Sequence, residues 1–165
     1  QIEPLRDRTL FGLLYRSGLQ VGEALSLDIE QVDLRRKEVR VVGKGSRERL
    51  VFLSDHSVKE LRTYLRERGR PKRGPLFTSR QGRLGYAMAR KLWQQYASRM
   101  KHQGKPVTMN QLRHTFGSER AGTVDAFALQ QMMGHRNLQT TQQYIKANTA
   151  RTRDAYRKFD QEHFS

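Results

Sequence analysis

Residues 133–144 of the chain read MGHRNLQTTQQY, and this segment decides how the rest of the sequence is interpreted. It places His135 directly after a glycine and Tyr144 nine residues later, at the end of a polar run with helical character. A second compact segment lies upstream, where residues 110–116 read NQLRHTF with Arg113 at the centre. Gathered around one phosphate, these three side chains would suit attack by the phenol on a phosphodiester.

The charge balance indicates a polyanionic partner. The chain has 165 residues, with 32 Lys+Arg against 16 Asp+Glu and a net charge of +16. Nucleic acid is the usual partner of such a chain, and the phenol with its Arg and His suggests DNA. A basic protein that binds RNA or the ribosome is a weaker alternative, because it rests on charge alone.

Several classes of site are disfavoured by composition. The chain contains no cysteine, which excludes disulfides, cysteine nucleophiles and cysteine-bound zinc and agrees with a cytoplasmic location. The five histidines show no HxxxH or HExxH spacing, so we expect no metal site. No apolar run approaches the length of a membrane span, and no signal peptide is visible.

The periodicity predicts an α+β fold, mainly helical, with one small antiparallel sheet of two or three strands. Strands are predicted at residues 38–42 and 47–53, around a tip that reads GKGS and carries Lys44, with a short third strand at Leu76 and Phe77. Residues 28–34 are predicted to be a connection. The predicted helices cover residues 4–17, 20–27, 54–68, 86–100, 108–121, 125–133 and 140–146. Leu10, Leu13 and Leu14 form the apolar stripe of the first, Ser54 or Asp55 and Asp125 can cap the third and sixth, and Gly18 and Gly134 can end the first and sixth. We expect residues 1–165 to form a single domain, with a tail from about residue 149 that docks as a helix on another surface.

The order of four segments resembles the catalytic domain of the tyrosine site-specific recombinases, the phage integrase family. The segments read SGLQVGEALSL from residue 17, GKGSRERLVFL from residue 43, TMNQLRHTF from residue 108 and LQQMMGHRNLQTTQQY from residue 129. The last two, at this separation, are a specific signal. The likeness extends over residues 4–146.

The resemblance implies DNA recombination by strand cleavage and rejoining through a 3′-phosphotyrosyl intermediate, without metal or nucleotide cofactor. Tyr144 matches the nucleophile, Arg113 a phosphate-clamping arginine, and His135 a histidine that contacts a phosphate oxygen. Lys44 matches the hairpin lysine that protonates the leaving oxygen, and Glu23 an acid that supports the site. The resemblance further implies self-association on DNA, a role in a bacterium or mobile element, and a helical DNA-binding domain that this chain lacks.

Two positions depart from the family pattern. Gln20 stands where an arginine is usual, and Asn110 where a histidine or lysine is usual. The protein could be an inactive paralogue that binds DNA, an active variant in which another cation such as Arg16 substitutes, or a chain with deliberate substitutions. The sequence leaves all three open.

Each assignment has a plainer alternative. Alone, Tyr144 would be read as a core tyrosine, and Lys44 as a solvated hairpin tip. His114 is expected to pack beneath the site, and Met132 and Met133 to lie in the core. The basic runs at residues 35–36 and 70–73 are either phosphate contacts or solvated surface.

Overall fold

The structure is a computed structural model that describes residues 2–43, 48–98, 101–102 and 105–134. The described residues are mainly helical, with small antiparallel sheets, as the sequence predicts. The α-helices are α1 (Ile2–Ser17), α2 (Val21–Ser26), α3 (Asp55–Glu67), α4 (Tyr86–Ala97), α5 (Met109–Arg120) and α6 (Ala126–Met133). The strands are β1 (Val32–Asp33), β2 (Glu38–Val42), β3 (Glu48–Phe52), β4 (Thr78–Ser79), β5 (Gly82–Arg83), β6 (Lys101–His102) and β7 (Lys105–Pro106).

The chain divides into two compact units, residues 1–114 and residues 115–165. The first contains α1 to α4, the strands and the start of α5. The second contains the end of α5 and α6. The expectation of a single domain stays a prediction.

The core of the first unit is built by stripes that the periodicity predicts. In α1, Leu10, Leu13 and Leu14 are at most 1% exposed, and the helix gives way to a left-handed residue, Gly18, with φ 68°. The Ser17 hydroxyl donates to the Leu13 carbonyl, 2.6 Å away, in the last turn. The helix end therefore has a defined geometry, which matters because the site begins there.

The central sheet has strand order β1-β2-β3, and Val39 pairs with Val51. Val39, Val41 and Val51 face the core, as the alternation predicts. The prediction of a single sheet was wrong within the described residues. Two short pairs, β4-β5 and β6-β7, stand apart from the central sheet, and each of their strands has two residues, too few for a periodic signal.

The prediction of a strand at Leu76 and Phe77 was wrong. Both side chains are fully buried, but the strand lies one step later, at Thr78–Ser79. The Leu76 amide donates to the Leu27 carbonyl, and the Phe77 carbonyl accepts from the Leu84 amide. These backbone groups therefore form hydrogen bonds with loop residues, not with a neighbouring β-strand. The predicted connection at residues 28–34 likewise contains a 3-10 turn and β1.

Helix boundaries follow local capping chemistry. The Ser54 hydroxyl accepts from the Ser57 amide at the start of α3. Asp125 caps α6 by accepting from two backbone amides, and Gly134 ends that helix with φ 62°. All three residues were expected in these roles.

The second unit has its own small core of Phe116, Leu129 and Met133, with Met132 partly buried against it. The two methionines therefore lie where the sequence predicts. Among the described helices, none combines the length and the apolar character needed to cross a membrane. The described part of the chain also holds no group of three or more His, Cys, Asp or Glu side chains placed to bind a metal.

Candidate active site

The candidate site is built around the turn between α1 and α2, at residues 18–20. Gly18 adopts the left-handed conformation, which glycine reaches without steric penalty. Gln20 is the N-cap of α2, is exposed, and has an extended backbone with ψ 150°. The turn therefore presents the Gly18 carbonyl and the Gln20 residue at a fixed position beside the first turn of α2.

Arg113 reaches this turn from the other end of the first unit. It lies on α5, is half-buried, and its Nη1 donates to the Gly18 carbonyl. The two residues are 95 positions apart in the sequence. The fold thus brings the NQLRHTF segment to the SGLQ turn, as the resemblance implies.

Asn110 lies in the first turn of α5, one turn before Arg113, and is exposed. Residues three apart lie on neighbouring positions of a helix surface, so Asn110 and Arg113 share a face. At the start of this helix, Gln111 accepts a hydrogen bond from the Thr108 amide, 2.5 Å away. This contact fixes the helix entry from which Asn110 projects.

Glu23 joins the turn to the hairpin. Its Oε2 accepts from the Gln20 amide at 2.8 Å, and its two oxygens accept from the guanidinium of Arg49 at 2.6 and 2.8 Å. Both side chains are largely buried, with 10% of Glu23 and 16% of Arg49 exposed. A bidentate arginine–carboxylate pair of this kind fixes the orientation of both side chains as well as the distance between them. It fastens β3 to α2.

Arg49 is the residue of this cluster that the sequence reading missed. It lies two residues before the buried Val51 and so on the same face of β3. Across the sheet it pairs with the buried Val41. An arginine at a core-facing position of a strand needs a buried acidic partner. The core-facing position of Arg49 in the strand pattern is therefore the signal that could have identified the Glu23–Arg49 pair. Its Nε is buried and has no hydrogen-bond partner in the described part of the chain.

Two further residues were considered at the site, Arg16 and His114, and whether Arg16 substitutes for the missing cation stays a prediction. Arg16, considered as a substitute cation, is ion-paired with Glu60 of α3, with Nη1 and Oε2 3.0 Å apart. Glu60 also accepts contacts from Arg8 and His56. The expectation that His114 packs beneath the site was wrong, because its side chain is exposed.

Three predicted site residues, Lys44, His135 and Tyr144, lie outside the described residues. Lys44 belongs to the tip that connects β2 and β3, so its flanking strands are described. Arg49, which anchors that hairpin, is five residues beyond Lys44. His135 follows Gly134, the residue that ends α6.

The mainly helical fold with small antiparallel sheets is that of solved tyrosine recombinases. Residues 1–151 match the phage integrase family, and the chain belongs to that family. It is 38% identical to tyrosine recombinase XerD of Pseudomonas aeruginosa, over 92% of this chain and 53% of that protein. It is 35% identical to tyrosine recombinase XerC of Actinobacillus succinogenes, over 96% of this chain and 54% of that protein.

Solved structures agree on the fold. The XerA recombinase superposes with a TM-score of 0.77 at 28% identity, over 99% of this chain and 58% of that chain. The XerH site-specific recombinase, solved bound to a palindromic difH substrate, gives 0.78 at 23% identity, over 94% of this chain and 46% of that chain. The chain thus spans about half the length of the relatives it matches.

Proposed function

We propose that the protein is a site-specific recombinase that cleaves and rejoins duplex DNA through Tyr144. The observation that carries the proposal is the hydrogen bond from Arg113 to the Gly18 carbonyl, which joins two motif segments at one turn. The family match extends to residue 151 and so includes Tyr144. The net charge of +16 suits a DNA substrate.

In the proposed reaction the Tyr144 phenol gives its proton to solvent, and its oxygen attacks the scissile phosphorus and forms a 3′-phosphotyrosyl bond. The bond from phosphorus to the 5′ oxygen breaks, and Lys44 gives that oxygen a proton. Rejoining reverses the step with the 5′-hydroxyl of another strand. The phosphotyrosyl bond conserves the bond energy, so no cofactor is required.

Charge stabilisation falls mainly to Arg113 and His135. The guanidinium fork suits two phosphate oxygens at once, and it is oriented here by the Gly18 carbonyl. An unperturbed tyrosine has a pKa of about 10, so the phenol needs such neighbours to react near neutral pH. The Glu23–Arg49 pair supports the hairpin that delivers Lys44.

Gln20 and Asn110 should make this reaction slow. Gln20 offers a neutral hydrogen bond where the family usually has a charge, and removal of one donor to a developing oxyanion costs roughly 10²–10³ in rate. The Asn110 amide cannot accept the phenolic proton, and loss of a general base costs roughly 10²–10⁴. The two losses do not simply multiply, since residues of one catalytic unit act together.

The same two residues favour a second candidate function, an inactive DNA-binding module that occupies a site or regulates an active partner. In that case DNA binding would be unchanged by Tyr144→Phe, and no covalent linkage would form. The fold and charge would serve binding alone.

A suicide-substrate experiment separates the two functions. The protein is incubated with a nicked duplex that carries its target site, and the covalent adduct is followed on a denaturing gel. An adduct that disappears in Tyr144→Phe supports the recombinase. If no adduct forms with any substrate under any condition, the result supports the inactive DNA-binding module.

The setting of the whole protein is part of the proposal. We propose assembly on paired DNA sites, with the tail from residue 149 contacting a neighbouring copy, in the cytoplasm of a bacterium. Removal of the residues after Asn148 should weaken assembly more than DNA binding. Equal loss of both would count against the tail as an assembly element.

A further inference from the structure

The outer face of α3 carries a row of cations. Lys59, Arg62 and Arg66 are all exposed, while Val58 and Leu61 are buried. At 3.6 residues per turn, positions 59, 62 and 66 fall on one exposed side of the helix, beside the buried stripe. The row spans about 10 Å along the helix axis, from the rise of about 1.5 Å per residue.

The turn between β1 and β2 lengthens this row at one end. Arg62 Nη2 donates to the Leu34 carbonyl, 3.2 Å away, which holds the turn against α3. The next two residues, Arg35 and Arg36, are exposed. Two more cations are thus held near the row by a contact with one of its members.

The end of α3 supplies a further cation. Arg70 follows Gly69, which has φ 82°, and Arg70 itself has φ 55°. Its amide donates to the Leu65 carbonyl at 2.8 Å, so the chain turns back over the helix end. We call Arg35, Arg36, Lys59, Arg62, Arg66 and Arg70 the α3 cationic surface.

Acids offset little of this charge. Asp55 is paired with Lys37, with Nζ and Oδ1 2.7 Å apart, and Glu67 lies 3.8 Å from Arg66. Asp33 uses its Oδ1 to accept from the amides of Arg35 and Arg36. Lys59 and Arg62 have no carboxylate within ion-pair distance among residues 2–43, 48–98, 101–102 and 105–134. The surface therefore keeps a strong positive charge.

The α3 cationic surface lies on elements other than those that carry Gly18 and Arg113, and its helical row is on a different side of α3 from the contact with α1. Helix α3 packs on α1 with the face that carries Glu60, which pairs with Arg16 near the end of α1. Gly18 follows that same helix end. At about 100° per residue, Arg62 in the middle of the row lies about 160° around α3 from Glu60, so the row is not on the side of the helix that meets Arg16.

We propose that the α3 cationic surface binds the phosphate backbone of a second duplex, independently of the duplex at the candidate active site. Arginine and lysine side chains spaced one helical turn apart match a line of phosphates, and such contacts carry no base preference. This binding does not require cleavage by Tyr144. A surface of this kind would hold a second DNA segment close to the first.

The test uses native mass spectrometry of the full chain with a random 12-base-pair duplex at low salt. The unaltered chain should give species with one and with two duplexes per protein. Lys59→Gln with Arg62→Gln and Arg66→Gln should keep the first and reduce the second at least tenfold. The salt dependence of the second step should also fall, by a slope of about 2.7 for three lost phosphate contacts.

Two control variants accompany this comparison. Lys59→Arg with Arg62→Lys and Arg66→Lys keeps the charge and should keep the second duplex. Arg90→Gln with Lys91→Gln and Lys105→Gln removes three exposed cations elsewhere and should also keep it. Circular dichroism checks that each variant is folded.

Several results would overturn the proposal. One is a second duplex that survives in the α3 variant, and another is an equal loss in both neutralised variants, which would make net charge the cause. Displacement of the second duplex by polyglutamate of equal charge would indicate a surface for acidic proteins. Tyr144→Phe should still bind two duplexes, so failure here is distinguishable from failure of the recombinase reaction.

Discussion

Two arginine–carboxylate pairs in the first unit use the same chemistry for different tasks. Arg6 and Asp7 are neighbours in α1, 2.6 Å apart, with side chains only 5% and 4% exposed. Glu23 and Arg49 are also 2.6 Å apart but lie on different elements and are somewhat more exposed. The first pair is a buried anchor, and the second joins two segments of the candidate site.

The partners of each pair show the difference. Arg6 also donates to the Thr78 carbonyl at 3.0 Å, and Asp7 accepts from the Tyr96 hydroxyl at 3.1 Å, so this pair holds α1 to β4 and α4. Glu23 instead accepts from the Gln20 amide and holds the hairpin strand β3. Removal of the first pair should affect stability above all, and removal of the second should affect catalysis.

The largest effect is expected for Asp7→Ala. It leaves the Arg6 charge buried without its partner, which costs about 3–5 kcal/mol of unfolding free energy. Urea denaturation measures this. Tyr96→Phe is the matched control, since it removes one hydrogen bond to Asp7 and should cost only about 1 kcal/mol. A cost below that of Tyr96→Phe would show that the Arg6–Asp7 pair is not the anchor.

Glu23→Gln should act mainly on the reaction. A glutamine cannot hold the Arg49 fork with two charged oxygens, and a displacement of about 1 Å at a reacting group costs roughly 10²-fold in rate. The rate of adduct formation is measured in a chain that carries Gln20→Arg and Asn110→His, where cleavage should be fast enough to follow. If Glu23→Gln lost as much stability as Asp7→Ala and left the rate of adduct formation unchanged, the Glu23–Arg49 pair would be a structural anchor and not part of the site.

Gly18→Ala and Gly69→Ala separate backbone strain from function. Both glycines have positive φ, 68° and 82°, so each alanine should cost about 1–2 kcal/mol of stability. Of these two glycines, Gly18 is the one whose carbonyl accepts from Arg113, so Gly18→Ala alone should also slow adduct formation, by about tenfold or 1.4 kcal/mol. A Cβ at residue 69 would meet nothing within 4 Å, which makes it a clean control. Equal rates in the two variants would argue against a role for the Gly18 carbonyl.

The smallest effect concerns pH. Burial, followed by the charge and hydrogen bond of Asp7, raises the pKa of Tyr96 above its ordinary value of 10.0. A group whose pKa is raised on folding contributes stability below its unfolded pKa and loses it as the pH rises through the folded pKa. Stability should therefore decline above about pH 10, and less so in Tyr96→Phe. Parallel unfolding curves of both proteins between pH 8 and 11 measure the difference, and identical slopes would contradict it.

Local signals in the sequence predicted much of the fold. The stripe of Leu10, Leu13 and Leu14, the capping residues Ser54 and Asp125, and the alternation in β2 and β3 each depend on residues a few positions apart. Such patterns identify helices and strands directly. The ends of α1 and α6 followed from Gly18 and Gly134.

Contacts between distant residues were harder to predict. The Arg49 partner of Glu23 is 26 positions away, and the backbone bond of Leu76 goes to Leu27, so neither leaves a local pattern. Two-residue strands such as β1 carry no periodicity. The site residues came from resemblance to a family, and the roles of Lys44, His135 and Tyr144 stay predictions.

The most direct test of the account compares covalent trapping by the unaltered chain with trapping by Gln20→Arg plus Asn110→His, on the same nicked duplex. The account predicts that the double variant forms adduct at least about 10²-fold faster, because it restores a charged donor and a proton acceptor beside Arg113. It also predicts that Tyr144→Phe in that background abolishes the adduct. Equal rates in the two chains, or an adduct that persists without the Tyr144 hydroxyl, would contradict the claim that the Gly18–Arg113 turn is the phosphate site of a tyrosine recombinase.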